Sequence, residues 1–253
     1  MGTKKKLLSI ITVVKNDAIN IEKTIKSIIS QKNQDVEYLL IDGKSSDGTL
    51  QRAQRFHNKI DKIISSKDRG IYDAMNIGIK NSSGKYIGFC NSGDVLKKNS
   101  LRTITKFLKK DIDILFATVK RNYLGATIIK SGFNLNRLNY NFDFATSHST
   151  GFYIKKNFHN KLGLYDLSFK CSADYDFYLR VFKLKNLKIM NTDHNKIIGE
   201  VQSGGFSSTL TPIEHLKEET KIRFKNKQSI FLIALIYSNA IIKIFLKKLL
   251  KKT

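Results

Sequence analysis

Two acidic segments of this 253-residue chain contain the residue types that metal binding and proton transfer require. Asp94 ends the segment Asn91-Ser92-Gly93-Asp94, directly after a short apolar run. A carboxylate beyond a strand can bind Mg²⁺ or Mn²⁺, and the ion would bridge the oxygens of a diphosphate. Asp174 opens a helical pattern over residues 174–185, where the helix N-terminus favours the ionised carboxylate. On this pattern alone an N-cap is the simpler interpretation of Asp174, although a general base also needs the ionised form.

The elements that must position these residues alternate along the first 120 residues. Short apolar runs predict strands that are buried on both faces, at residues 7–14, 36–41, 60–65, 85–90 and 112–119. Apolar residues at helical spacing lie between them, over residues 19–29, 49–57, 72–80 and 101–108. This alternation predicts an α/β fold with a mostly parallel sheet, covered by helices on both faces.

Polar residues follow four of these strands. Ligands of such sheets bind beyond the carboxyl ends of the strands. The candidate site therefore comprises Lys15-Asn16, Asp42-Gly43, Ser66–Arg69 and Asn91–Asp94. Basic and amide groups there, Lys67, Arg69 and Asn76, could position phosphates. Residues 120–205 have weaker periodicity and mix aromatic with polar residues, which indicates an elaboration that closes over the edge of the sheet.

The net charge of +24 and two cysteines narrow the possible partners and compartments. Nucleic acid, an anionic membrane surface or phosphorylated substrates would all be attracted by such a charge, although a general bias toward lysine also contributes to it. Cys90 and Cys171 do not make a disulfide framework, which favours a reducing cytosol. The basic N-terminus and apolar run over residues 7–14 are too short for a signal peptide and lack a cleavage site.

The C-terminal residues have a different pattern. Thr211 and Pro212 predict the start of a charged helix that runs to about residue 227. Residues 230–246 are apolar except for three polar residues, and four lysines follow, at positions 247, 248, 251 and 252. A spanning helix needs roughly 20 mostly apolar residues. We expect an amphipathic helix at a membrane surface, with a helix packed on the core or a true span as the alternatives.

Four segments resemble, in order and spacing, the motifs of family 2 glycosyltransferases, which have the GT-A fold. They are residues 8–16, 41–49, 68–78 and 84–94. The resemblance extends over about residues 7–205 and implies an α/β fold of the nucleotide-diphospho-sugar transferase type. Residues 1–205 would then form the glycosyltransferase domain, with residues 1–120 binding the nucleotide sugar and residues 121–205 the acceptor. Residues 206–253 would form a helical, membrane-associating extension.

The resemblance also implies roles for the donor-binding residues. The donor is expected to be a nucleotide-diphosphate sugar, most commonly with UDP, and the metal cofactor Mn²⁺ or Mg²⁺. By their positions in the motifs, Val14, Asn16 and Asp42 would hold the base and ribose. Asp68, Tyr72 and Asn76 would line the donor pocket.

The later motifs of the same resemblance imply which residues bind the metal and which residue acts as the base. Asp94 matches the acidic residue that is expected on the metal, and Asp174 matches the general base of an inverting transfer, with Asp176 in reserve. The chain departs from the family at Asn91 and at Gly93, where relatives often have acidic residues. Asn91 is still expected to contact the donor, but a site with one carboxylate should bind metal weakly without it. We leave open whether His148 or His194 adds a ligand, and we expect the loop over residues 203–207 to fold over the donor.

Two alternatives remain beside this interpretation. A nucleic-acid-binding protein would account for the charge, although the sequence contains no binding module of that class. A catalytically inactive relative would account for the reduced acidic motif. The expected context is bacterial surface polysaccharide biosynthesis (O-antigen, capsule or lipooligosaccharide). A lipid-linked or growing saccharide would be the acceptor, at the cytoplasmic face of the cell membrane.

Overall fold

The computed structural model describes residues 5–123, 126–140, 149–202 and 210–249. Its eleven described strands are β1 (Leu8–Val14), β2 (Val36–Asp42), β3 (Lys62–Ser65), β4 (Tyr86–Phe89), β5 (Val95–Leu96), β6 (Ile114–Phe116), β7 (Val119–Tyr123), β8 (Ala126–Lys130), β9 (Phe152–Lys155), β10 (Ile189–Asn191) and β11 (Gly199–Val201). The described helices are α1 (Ile21–Ile29), α2 (Thr49–Gln54), α3 (Ile71–Asn81), α4 (Ser100–Leu108), α5 (Leu135–Leu138), α6 (Asn157–Leu162), α7 (Ala173–Val181), α8 (Pro212–Lys225) and α9 (Ile230–Leu249).

A seven-stranded sheet forms the centre of the fold, in the order β10-β6-β9-β4-β1-β2-β3. Its strand pairs are parallel except for the two that β9 makes with β4 and β6. All seven residues of both β1 and β2 are buried, as their mostly apolar sequences predict. Two hydrophobic clusters cover the sheet, one including residues of α3 and α7 and the other including residues of α1 and α4. The predicted mostly parallel α/β sheet is confirmed.

The predicted strand over residues 112–119 is wrong in its extent. β6 ends at Phe116, and β7 begins at Val119 in a second sheet, of order β5-β11-β7-β8. The chain changes sheet at Thr118, whose main-chain N–H donates to the hydroxyl oxygen of Thr192 at 2.8 Å. A continuous apolar run does not reveal this break, because both strands are buried at the point where they separate.

Helix α8 packs on the domain that precedes it. Ile222 and Arg223 are almost fully buried, and the Arg223 guanidinium donates to the main-chain oxygens of Asn139 and Tyr140. Thr211 and Glu214 form a capping box at the start of α8, as the sequence predicts for an N-cap before proline. The domain boundary predicted at residue 205 lies outside the described residues.

Helix α9 exposes much of its apolar surface. Ile233 is buried, whereas Phe231, Leu235 and Phe245 are between 56% and 80% exposed. Within the described part of the chain, α9 included, there is no helix with the length and apolar character that a membrane span needs.

Candidate functional site

The carboxyl ends of β1 and β2 bring three of the predicted donor-binding residues together. The register pairs Val14 with Asp42, the last residues of the two strands. Asn16 follows with a positive φ of 51°, which turns its side chain toward the loop after β2. Its Oδ1 accepts from the main-chain N–H of Ser46 at 2.9 Å, and its own N–H donates to Ser45 Oγ at 2.8 Å. The two loops are therefore joined into one edge.

Asp42 and Asp68 add two carboxylates to this edge. Asp42 is fully buried, and its Oδ2 accepts from Ser65 Oγ at 2.6 Å. Asp68 lies against Gly43, since a Cβ built on this glycine would come 2.3 Å from Asp68 Oδ2. Glycine at position 43 therefore allows the carboxylate of the β3–α3 loop to reach the backbone after β2.

Asp94 is held inside the loop after β4. The residue is 4% exposed, and its Oδ2 accepts from Thr150 Oγ1 at 2.6 Å. Its main-chain oxygen accepts from Thr24 Oγ1 at 2.8 Å, which ties the loop to α1. Asn91 stands at the start of the same loop and donates through Nδ2 to Ser149 Oγ at 3.1 Å.

The oxygens of this loop fit a hard divalent cation. Asn91 Oδ1 is buried and has no hydrogen-bond partner among the described residues, and a carboxylate from Asp94 belongs to the same short loop. Amide and carboxylate oxygens are the ligands that Mg²⁺ and Mn²⁺ accept. The described residues contain no cluster of three His, Cys, Asp or Glu side chains that could hold a metal by themselves. A metal held by Asp94 and Asn91 would take its remaining oxygens from a bound ligand or from water.

Asp174 lies in the first turn of α7, next to Tyr72 of α3. Its Oδ1 accepts from Tyr72 Oη at 2.8 Å and from the main-chain N–H of Tyr175 at 3.0 Å. Burial of the carboxyl raises the pKa of Asp174 from 3.8 to about 7, although both hydrogen bonds act in the opposite direction. The helix N-terminus favours the carboxylate, but desolvation outweighs that effect and leaves the carboxyl partly protonated at neutral pH. A carboxyl with a pKa near 7 can accept and release a proton at neutral pH.

Two predicted donor-pocket residues make contacts that the sequence did not indicate. The Tyr72 hydroxyl is directed at Asp174 and at the main-chain oxygen of Cys171, 2.7 Å away. Asn76 is 5% exposed and forms two hydrogen bonds to the backbone of Tyr165, of 2.9 and 3.0 Å. Its amide is hydrogen-bonded at both nitrogen and oxygen, so Asn76 stabilises the loop at Tyr165 in this structure, and its predicted contact with the donor stays a prediction.

Asp176, His148 and His194 were candidates for a reserve base and for metal ligands. The described part of the structure places none of the three in the candidate site. Asp176 is fully buried and binds Arg180 Nε at 2.9 Å and Lys225 Nζ at 3.1 Å. This ion-pair network excludes Asp176 as an accessible base, which corrects that expectation. His194 is exposed and its Nδ1 contacts Ser131 Oγ at 2.9 Å. His148 and the loop over residues 203–207 lie outside the described residues.

Sequence reasoning missed two residues that support the site. Thr150, the hydrogen-bond donor to Asp94, lies 56 residues further along the chain. Glu218 of α8 accepts from the main-chain N–H groups of Lys170 and Cys171, and so fixes the turn before α7. Neither residue belongs to a recognisable local motif, and the only signal was that Thr150 lies two residues after His148, a possible metal ligand by sequence.

The comparisons with known proteins identify relatives over most of the chain. The profile described as Glycosyl transferase family 2 matches residues 9–172. A PGL/p-HBAD biosynthesis glycosyltransferase of Mycobacterium tuberculosis is 29% identical over 219 residues, which cover 83% of each protein. S. aureus TarS 1-349 in complex with UDP-GlcNAc superposes with a TM-score of 0.70 at 17% identity, over 93% of this chain and 71% of TarS 1-349. The mannosyltransferase PcManGT of Pyrobaculum calidifontis, with GDP-Man and Mn²⁺, gives 0.64 at 15% identity, over 94% and 70%. The predicted fold is confirmed.

Proposed function

The chain belongs to glycosyl transferase family 2, and from that membership we propose that it transfers a sugar from a nucleotide-diphosphate donor, with inversion. UDP is the proposed nucleotide, and a saccharide hydroxyl is the proposed acceptor. The observation that carries this proposal is Asp174, whose partly buried carboxyl has a pKa of about 7 and is held by hydrogen bonds at one oxygen.

The proposed reaction is a single displacement. The acceptor oxygen forms a bond to the anomeric carbon while the bond from that carbon to the diphosphate breaks, and the acceptor's proton passes to Asp174. Among the described residues, the hydrogen bonds from Tyr72 and Tyr175 both reach Oδ1, so we propose that Oδ2 takes the proton. A base whose pKa is close to the working pH combines a substantial ionised fraction with the strength to accept that proton.

The donor would lie across the edge formed by β1, β2 and the β3–α3 loop. Val14 and Asp42 end adjacent strands, and Asn16 is hydrogen-bonded to the loop after β2, so the three lie at one edge, where we place the base and ribose. Asp68 adds a carboxylate next to Gly43 at the same edge. Asn91 and Asp94 lie at the neighbouring strand end, where we place the diphosphate.

Mn²⁺ or Mg²⁺ would be held by Asp94 and the amide oxygen of Asn91, together with oxygens of the donor. When bound, the ion supplies positive charge that offsets the charge on the departing diphosphate. Thr150 holds the Asp94 carboxylate in place for this contact. Treatment with EDTA should abolish the hydrolysis of a UDP-sugar, and added Mn²⁺ should restore it. Hydrolysis that persists in EDTA would contradict the metal site.

The base assignment is tested by Asp174→Asn. The amide keeps an oxygen for Tyr72 and Tyr175 but has no basic atom, so transfer should fall by about 10²–10⁴-fold. UDP binding by calorimetry should be unchanged. Asp176→Asn is not a suitable control, because that residue lies in a buried ion-pair network; Asp111→Asn changes an exposed carboxylate and should leave transfer intact. Normal turnover in Asp174→Asn would refute the assignment and favour a different base.

We further propose that the chain acts in the biosynthesis of a bacterial surface polysaccharide, such as O-antigen, capsule or lipooligosaccharide. The acceptor would be lipid-linked or a growing saccharide, at the cytoplasmic face of the membrane. The support is α9, which exposes apolar side chains next to lysines on a chain of net charge +24. An exposed apolar surface of this kind fits the interfacial region of an anionic bilayer.

The membrane proposal is tested with vesicles of anionic phospholipid. Phe231 and Phe245 are 80% and 62% exposed, so replacing both by Ser should leave the fold unchanged and weaken vesicle binding by more than tenfold. Ile19→Ser is the matched control, because Ile19 is an exposed apolar residue far along the chain from α9. Binding that is equally strong in the double variant would eliminate α9 as the contact.

A further inference from the structure

Tyr72 has one hydroxyl proton and two acceptors. Its Oη lies 2.8 Å from Asp174 Oδ1 and 2.7 Å from the main-chain oxygen of Cys171. A phenol can donate to only one of these at a time. Burial raises the pKa of Tyr72 above its ordinary value, so the phenol remains a neutral donor throughout the working range of pH.

The second acceptor is fixed in place from α8. The N–H of Cys171 donates to Glu218 Oε2 at 2.8 Å, and the N–H of Lys170 donates to the other oxygen of the same carboxylate. Glu218 therefore holds the turn whose carbonyl faces the Tyr72 hydroxyl. The phenol lies between a carboxyl that changes charge during the proposed reaction and a carbonyl that does not.

We infer that Tyr72 is a positioning residue: it fixes Oδ1 of Asp174, leaves Oδ2 for the acceptor's proton, and turns its own proton to the Cys171 carbonyl when Asp174 becomes neutral. While Asp174 is ionised, the hydroxyl donates to Oδ1, because a carboxylate is the stronger acceptor. Once Oδ2 is protonated, Oδ1 loses its charge and the Cys171 carbonyl competes for the same proton. The hydroxyl proton only rotates, so no covalent bond of Tyr72 changes. This inference rests on the proposed role of Asp174 as the base.

The environment of Asp174 determines what this hydrogen bond should change. The titratable groups that interact with it among the described residues are mostly neutral phenols and a thiol, and Glu218 is the charged one. They are Tyr72 of α3, Tyr165, Tyr178 of α7, Cys171 and Glu218 of α8. Glu218 favours the protonated acid and Tyr72 favours the carboxylate, so their removal should shift the titration of Asp174 in opposite directions.

The titration of Asp174 can be measured without any substrate. Protein labelled with ¹³C at aspartate carboxyls would be followed by NMR from pH 5 to 9, and the Asp174 signal assigned by its loss in Asp174→Asn. Tyr72→Phe should raise the titration midpoint by about one pH unit, because a hydrogen bond to a charged acceptor is about twice as strong as a neutral one. Replacing Tyr72 by 3-fluorotyrosine, a more acidic donor, should lower it. Glu218→Gln should also lower it.

A matched control separates this effect from the loss of any buried tyrosine hydroxyl. Tyr86 is fully buried and donates to the main-chain oxygen of Ile112 at 2.6 Å, so Tyr86→Phe should leave the Asp174 midpoint unchanged. If Tyr72→Phe and the fluorinated protein both keep the original midpoint, the inference is overturned. If instead Asp174→Asn still transfers sugar, the proposed base is wrong, whatever Tyr72 does.

Discussion

Asp174 should lower the stability of the folded protein as the pH rises. Its pKa rises from 3.8 to about 7 on folding, so the folded state holds a proton that the unfolded state has already lost. The ionisation of Asp174 has no effect on the free energy of unfolding below pH 3.8. Above this value the free energy of unfolding falls as the pH rises to the folded-state pKa, and it is then constant. The full difference corresponds to about 4 kcal/mol, since each tenfold change in an ionisation constant is about 1.36 kcal/mol.

Asp174→Asn removes this titration and should therefore stabilise the protein more at pH 8 than at pH 5. Linkage with the two pKa values gives a difference between these conditions of roughly 2–3 kcal/mol. Because any packing change caused by the amide is the same at both values, the difference isolates the titration. The measurement is urea unfolding of the native protein and the variant at pH 5, 6.5 and 8, with a common slope.

The control and the refuting result use the same assay. Asp111 is exposed, and its hydrogen bonds to Lys85 and Lys155 lower its pKa to about 2. It is ionised in both states across the whole range, so Asp111→Asn should change stability equally at pH 5 and pH 8. If Asp174→Asn shows the same flat dependence, the carboxyl is not desolvated, and its assignment as a base with a pKa near 7 fails.

Two further substitutions test other parts of the structure. His159 is 2% exposed, stacks on Phe177 with ring centroids 4.3 Å apart, and has no hydrogen-bond partner for either nitrogen among the described residues. His159→Phe should stabilise the protein by about 1–3 kcal/mol at pH 8. The gain should be larger at pH 5, because burial lowers the pKa of His159 to about 3 and the unfolded state alone gains a proton below pH 6.5. Gly43→Ala should displace the Asp68 carboxylate and weaken UDP binding on the order of tenfold, about 1.4 kcal/mol, by calorimetry.

The predictions for His159→Phe and Gly43→Ala each have an outcome that would contradict them. A loss of stability in His159→Phe at both pH values would mean that the imidazole nitrogens are satisfied in solution. For Gly43→Ala, the control is the double variant that also carries Asp68→Ala. Removal of the Asp68 carboxylate relieves its clash with the added methyl group, so the double variant should be more stable than Gly43→Ala but should not regain UDP affinity. Unchanged UDP affinity in Gly43→Ala would show that the Asp68 carboxylate does not contribute to that site.

The central sheet could be predicted because its signals are local. Mostly apolar runs predict the burial of β1 and β2 on both faces, and the spacing of Ile21, Ile25 and Ile28 predicts the buried side of α1. The second sheet had no such signal. Four of the five residues of β8 are exposed, and β11 has only three residues, so neither has the alternation that identifies a strand.

The part of the candidate site that depends only on the topology of the sheet could be predicted. Asp42 ends β2 and Asp94 follows β4, two strands that pair in parallel with β1 from either side, so the rule for parallel sheets places them at one edge. The partners of these residues come from distant parts of the chain. Tyr72 and Asp174 are separated by 102 positions, and the contact between them depends on how α7 and α3 pack. No periodicity or spacing in the sequence encodes that distance.

The pKa of Asp174 shows why a local argument about the helix N-terminus was incomplete. A helix N-terminus stabilises a carboxylate by about 0.3–1 kcal/mol at an exposed position, which lowers its pKa only slightly. Desolvation of a buried carboxyl can raise the pKa by several units, and here it exceeds the combined effect of the hydrogen bonds from Tyr72 and Tyr175. The sequence shows the helix start but not the burial, because Tyr72 and Glu218 reach this carboxyl or its turn from α3 and α8. Desolvation is therefore set by tertiary packing, and it moves the pKa to the range in which a carboxyl can act as a base at neutral pH.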